Sequence, residues 1–150
     1  MNNLNIRPIA AYDMQSLLDM VQGLAAHHGD TALATLDDLQ RDCLGPAPWL
    51  RVLVAEEADA LVGYVALCPL AQMQFGMRGM DIHHLFVREN LRGTGIGRCL
   101  IDASLSLSKT LGCRYMTVGT HPKNAAAGQV YLAAGFEPAS PPGPRFRMRL

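Results

Sequence analysis

Arg92-Gly93-Thr94-Gly95-Ile96-Gly97 combines residue types that grip a phosphate. The run follows an apolar stretch, Ile82-His83-His84-Leu85-Phe86-Val87, and opens a helix-like stretch over residues 98–111. Glycines let a backbone turn tightly and approach a ligand closely, with N–H groups free to point at it. The helix adds unpaired N–H donors and about half a positive charge at its start. Arg92 brings a fork of further donors. A plain strand–helix turn needs one or two glycines, whereas three beside an arginine favour an anion. Two nucleotide patterns do not fit. A P-loop requires Lys then Ser or Thr after its last glycine, but Arg98 and Cys99 follow Gly97, and glycines at 93, 95 and 97 do not make a GxGxxG. Beside the loop, His83 and His84 are of the one side-chain type that ordinarily titrates near neutrality.

The elements that must hold these residues follow from spacing. Leu4 to Ile9 reads as a first strand. Asp13 is placed to cap the next helix, whose apolar face is Leu17, Leu18, Val21, Leu24 and Ala25, and which ends at His27-His28-Gly29. Thr35, with Asp38 three residues on, starts a second helix as a capping box, and Gly45-Pro46-Ala47-Pro48 stops it. Leu50 to Ala55 and Leu61 to Leu70 read as strands around an acidic turn, Glu56-Glu57-Ala58-Asp59. A bend with Met73, Phe75, Met77 and Met80 leads to a strand over Asp81 to Val87. After the loop helix, closed by Gly112, come a strand over Arg114 to Gly119 and a helix over Asn124 to Ala134 that stops at Gly135. A proline-rich tail precedes a last strand, Arg145 to Leu150. Strands first, then helix–strand alternation, predict a mixed α/β sheet with helices on both sides.

Composition narrows the function class. At 150 residues, 49% apolar and 17% charged, the chain reads as one globular domain, 1–150. Thirteen basic residues balance thirteen acidic ones, so no overall field draws nucleic acid or an anionic membrane. The start Met1-Asn-Asn-Leu-Asn-Ile-Arg lacks a signal peptide's apolar core, and no apolar stretch approaches a membrane span, which points to the cytosol. Cys43, Cys68, Cys99 and Cys113 form no CxxC pair or His cluster, so they read as reduced, mostly small core residues, with no metal implied.

The spacing Arg92, Gly95, Gly97 resembles the Arg/Gln-x-x-Gly-x-Gly/Ala signature of the GNAT acetyltransferases. Asn124, Ala127, Tyr131 and Gly135-Phe136 resemble that family's Asn-x-x-Ala…Tyr-x-x-x-Gly-Phe segment. The likeness covers residues 50–137 well and the N-terminal third loosely. It implies an α/β GNAT fold, a mixed central sheet of about six to seven strands splayed in its middle, with about four helices on both faces. It also implies acetyl-CoA as co-substrate. The loop Arg92, Gly93, Thr94, Gly95, Ile96 and Gly97 would take the pyrophosphate. The backbone of Leu85, Phe86 and Val87 would bond the pantetheine arm as a neighbouring strand would. Asn124 would reach the same arm; it also suits a helix cap, and the two roles are compatible. Homodimers are common in the family.

Acetyl transfer to an amine sets two further demands. An alkylammonium of pKa about 10.4 is protonated at pH 7, and freeing it costs about 4.6 kcal/mol, which desolvation and a base of pKa near 7 can offset. In the spermidine/spermine branch the matching strand reads like Leu-Glu-Asp-Phe-Phe-Val, so His83 stands in the glutamate's place and His84 in the aspartate's. His83 is the expected base, directly or through water, and His84 an acceptor-site wall. On a regular strand only one of two neighbours would face the site. Tyr131 is the expected acid: a phenol of pKa about 10 can donate to a departing thiolate whose thiol has pKa about 8.5. Asp81, Glu56 and Glu57 read as surface charges, His27-His28 as a helix end that could line the acceptor pocket, and His121-Pro122 as a turn. Thr35…Leu39…Asp42…Gly45…Pro48 followed by Val54-Ala55-Glu56 looks like the matching region of polyamine and thialysine acetyltransferases. That implies a small primary amine, an amino acid or diamine-like, and the loss of two acids at 83 and 84 tilts the expectation from polycations toward a monoamine or zwitterion. A protein amine, or an acyl-CoA sensor without turnover, are the alternatives; Tyr131 with a nearby base speaks for an enzyme.

Overall fold

The computed structural model describes residues 3–122 and 124–150; Met1 and Asn2 of the N-terminal stretch read above, and Lys123, lie outside the described residues. Strands β1 (Asn5–Pro8), β2 (Arg51–Glu57), β3 (Ala60–Gln72), β4 (Met77–Val87) and β5 (Cys113–Val118) form one sheet in that order. Neighbours are antiparallel except β4 and β5, which are parallel. Helices α1 (Met14–His27) and α2 (Leu36–Cys43) cover one face, α3 (Ile96–Thr110) and α4 (Ala125–Ala133) the other. A sheet covered on both sides needs strands apolar on both sides. Accordingly Val52 to Ala55 and Leu61 to Leu67 are buried without interruption. Leu17, Met20, Val54, Tyr64 and Phe86 build the core under α1, and Val65, Leu67, Ile82, Leu100 and Ile101 the core under α3.

Local signals act as chemistry dictates. Thr35 Oγ1 accepts from the Asp38 N–H at 3.2 Å while the Asp38 carboxylate accepts from the Thr35 N–H at 3.0 Å, the reciprocal box that starts α2. Ala58 and Asp59, both with positive φ, make the two-residue turn between β2 and β3.

Two expectations are corrected. Asp13 does not cap α1, because its carboxylate is held elsewhere. It accepts from both terminal nitrogens of Arg7, at 2.7 and 3.0 Å, and from the Ala10 N–H at 2.8 Å. Arg7 also reaches Glu56, so one guanidinium ties β1, the entry to α1 and β2. The Arg7 hydrogen bonds, opposed by burial, hold the Asp13 carboxyl below the usual aspartate range. A lowered folded pKa contributes stability above the unfolded value near 3.9, and that contribution is lost as pH falls through the folded value. Asp13→Ala is expected to lower unfolding free energy by about 2 kcal/mol at pH 7 in urea melts, with the difference shrinking at the acid end.

The sheet has five strands among the described residues, fewer than expected, and Arg145 to Leu150 is not one of them. Pro138, Pro141, Pro142 and Pro144 remove four N–H donors and fix φ just before that segment. The alternation of Arg145, Arg147 and Arg149 with Phe146, Met148 and Leu150 is therefore displayed with both faces exposed.

Candidate active site

The site begins where β4 and β5 part. Their parallel pairing ends at Ile82 opposite Val118, while β4 runs on to Val87 with β3 as its one partner among the described residues. The backbone of Leu85 to Val87 therefore presents its other edge to a cleft of about 1050 Å³. The expected splay is present, and its cause is that β5 ends and the chain turns away through Gly119 and Thr120.

The glycine loop closes one end of this cleft. Gly93 (φ 77°) and Gly95 (φ 95°) are left-handed, and among the described residues nothing lies within 4 Å of a Cβ placed at Gly93. Gly95 is the N-cap of α3, its carbonyl accepting from the Cys99 N–H. Positive φ at both glycines lets the peptides on either side turn their N–H groups outward, at the positive end of a 15-residue helix. This chemistry fits a diphosphate. Arg92 is differently engaged: Nε donates to the Val87 carbonyl at 2.9 Å, one terminal nitrogen lies 3.4 Å from His27 Nδ1, and the guanidinium covers the Phe86 ring. It fixes the corner between β4 and the loop, with the rest of its fork left for an anion.

Both sequence-predicted histidines line the cleft. The reason is a register slip. Ile82 lies opposite Leu67 but His84 opposite Ala66, so His83 is the extra residue of a β-bulge. Before it, Met80 and Ile82 pack under α3; after it, Phe86 packs under α1. Neighbouring side chains at 83 and 84 thus share a side, with rings stacked 4.4 Å apart and nearly parallel. His83 is exposed; His84 is half-buried, with Nδ1 2.9 Å from the Tyr64 hydroxyl. Burial, then the nearby His83 and His28, push the His84 pKa down to about 4. His84 is thereby neutral at pH 7 and poorly suited to take a proton.

Tyr131 reaches the cleft from α4, only 9% exposed. Burial, reinforced by the Asp81 carboxylate, raises its pKa, so it stays protonated at neutral pH. Asp81 is no simple surface charge, for the Thr117 hydroxyl donates to it. Asn124 caps α4, its side-chain oxygen accepting from the Ala127 N–H at 3.1 Å, which leaves its amide N–H₂ for another partner. Two features were not read from sequence as site components. His121 does more than turn: it lines the cleft and stacks on His28. Tyr64, a core aromatic by its strand pattern, touches the site through His84. All five histidines of the chain line this cleft. Among the described residues no group of His, Cys, Asp or Glu could hold a metal ion, and no helix is long and apolar enough to cross a membrane. The four cysteines are free thiols; Cys43 alone is buried, which raises its pKa to about 11.

Known proteins resemble this chain in sequence and in fold. A sequence model of the acetyltransferase (GNAT) family matches residues 16–136. The peptidyl-lysine N-acetyltransferase YjaB of Escherichia coli strain K12 is 31% identical over 103 residues, covering 68% of this chain and 58% of its own. An L-methionine sulfoximine/L-methionine sulfone acetyltransferase of Pseudomonas aeruginosa is 30% identical over 87 residues, 57% of this chain and 50% of its own. The chain spans about half the length of the curated relatives it matches. The structure of AAC(6')-Iy with a bisubstrate analogue, CoA-S-monomethyl-acetylneamine, superposes with TM-score 0.81 at 20% identity, covering 99% of each chain, a likeness of fold. With the family match spanning most of the chain and the fold agreeing, this chain belongs to the GNAT acetyltransferase family.

Proposed function

We propose that this chain is an N-acetyltransferase that moves an acetyl group from acetyl-CoA to the primary amine of a small molecule, an amino acid or diamine-like compound, by direct attack in a ternary complex. The observation that carries the reading is the continuity of a strand edge, Leu85 to Val87, that has no strand partner among the described residues, with a left-handed glycine loop at a helix N-terminus. One long ligand with amide groups and a diphosphate would use both. When bound, acetyl-CoA supplies the activated acyl group and a thiol leaving group.

The chain's own residues supply the rest. Main-chain N–H groups between Arg92 and Gly97 bind the diphosphate; Thr94 braces the turn by donating to the Leu91 carbonyl. The backbone of Leu85 and the Val87 N–H orient the arm, since Phe86 pairs with Tyr64 on β3 and the Val87 carbonyl accepts from Arg92, and the Asn124 amide adds a donor. His83, exposed at the bulge, takes the ammonium proton directly or through water. The stacked His84 stays neutral and adds no charge beside it. Tyr131 donates a hydrogen bond to the departing sulfur. A thiolate of pKa about 8.5 is a weaker base than a phenolate, so the hydrogen bond itself, more than full transfer, is the useful contribution. Cytosolic location and a homodimer complete the proposal; Phe146, Met148 and Leu150, all exposed, offer apolar surface to a second copy.

His83→Ala is expected to lower kcat about 10- to 100-fold at pH 7, the deficit narrowing above pH 8 as more of the amine is free in solution. A pH–rate profile identical to that of the unaltered protein would remove His83 from proton transfer. The reading as a whole is tested by calorimetry with CoA and by thiol release from acetyl-CoA across a panel of amines and lysine peptides. Absence of CoA binding would overturn it; CoA binding with no thiol release from any amine would leave an acyl-CoA sensor in its place.

A further inference from the structure

Tyr64 lies in the middle of β3, 1% exposed, and its ring packs beside Phe86 and edge-on to His84. A phenol buried this far must place its proton on an acceptor, and His84 Nδ1 lies 2.9 Å away. Burial, with Cys43 nearby, raises the Tyr64 pKa, so the hydroxyl keeps its proton, and His84 is neutral. A neutral imidazole that accepts at Nδ1 carries its hydrogen on Nε2. The bulge at His83 sets this geometry: without it, His84 would fall on the α3 face and miss Tyr64 altogether.

We infer that Tyr64 is a positioning residue that locks His84 in the Nε2–H tautomer, making His84 a fixed hydrogen-bond donor in the cleft for an oxygen of the amine substrate. The second half rests on the function proposed above. A donor of this kind recognises a lone pair on a carboxylate, carbonyl or hydroxyl and offers nothing to an ammonium group. The rest of the wall agrees, because Asp30 is the one carboxylate lining the cleft among the described residues, against five imidazoles and Arg92. The inferred acceptor is an amine that carries an oxygen acceptor beside it, above all an α-amino acid, and a bare polyamine is disfavoured.

Nitrogen-15 histidine labelling and long-range nitrogen–proton NMR at pH 7 give the first test, independent of activity. The expected spectrum has His84, assigned through His84→Gln, protonated at Nε2 and bare at Nδ1. A proton on Nδ1, or rapid exchange between the two tautomers, would overturn the inference. Kinetics of Tyr64→Phe give the second, with an α-amino acid, its amide and the matching decarboxylated amine as acceptors. KM for the amino acid and amide is expected to rise about tenfold, with kcat within about threefold and KM for the bare amine unchanged. An equal change for all three acceptors, or none, would sink the oxygen-recognition role. If Tyr64→Phe does not fold, the tautomer in the unaltered protein still decides. A missing CoA binding isotherm would strike the proposed acetyltransferase and leave the tautomer result standing.

Discussion

Tyr131→Phe is expected to lower kcat about 100-fold while CoA affinity changes by less than about twofold. The contrast follows from where the ring and the hydroxyl do their separate work. The ring packs in the core with Ile82 and Leu100 and meets Phe136 edge-on, 5.7 Å between centroids, contacts that phenylalanine keeps. Folding and the glycine loop should therefore survive. Only the hydroxyl disappears, and with it the proposed donor to a sulfur that gains charge as the carbon–sulfur bond breaks. Because burial and Asp81 raise the Tyr131 pKa, the hydroxyl is protonated throughout the neutral range, so the deficit should be constant from about pH 6 to 9. Steady-state rates with calorimetry of CoA on the same variant measure both arms. Full kcat in Tyr131→Phe would remove the hydroxyl from the reaction.

What the sequence disclosed divides along a physical line. Features written in nearest-neighbour chemistry were legible: the Thr35–Asp38 box, the left-handed stops at Gly112 and Gly135, the glycine loop and the uninterrupted apolar strands. Features that depend on which strand lies opposite were not. The slip at His83 leaves no trace in local composition, since it exists only as a mismatch between Ala66–Leu67 and Ile82–His84. Strict alternation would have sent one histidine out of the site, and the bulge brings both in. Tyr64 was hidden for the same reason: among buried neighbours it reads as core packing, and its hydroxyl matters only because the slip delivers His84 to it. Asp13 illustrates the reverse error. Its position promised a cap, but a guanidinium six residues upstream offered two hydrogen bonds and a charge, a stronger claim than a single backbone N–H. At Arg145 to Leu150 the period of two was genuine, yet a strand needs a partner edge as well as a pattern.

Gly95→Val should weaken CoA binding about 100-fold, close to 2.7 kcal/mol, and lower the melting temperature by only a few degrees. Gly95 holds φ at 95°, a region that L-residues enter at about 1–2 kcal/mol and β-branched ones rarely at all. The chain has two ways to respond. It can keep the turn, with a branched side chain standing among the outward N–H groups and the strain retained. Or it can rotate the peptides flanking residue 95 toward negative φ, which re-aims their N–H groups and unsettles the start of α3. The first response obstructs, and the second removes, donors of the proposed diphosphate cradle, while the core beneath Leu100 and Ile101 stays packed. Gly128→Ala makes the matched control. It lies inside α4, where among the described residues a Cβ meets nothing within 4 Å beyond the helix's own backbone and alanine is favoured over glycine by about 1 kcal/mol, so melting should rise slightly and CoA affinity hold. Isothermal titration with CoA and thermal melts on the two variants separate loss of the cradle from loss of the fold. If Gly95→Val bound CoA as tightly as the unaltered chain with an unchanged melt, the diphosphate would have to sit somewhere other than the mouth of α3.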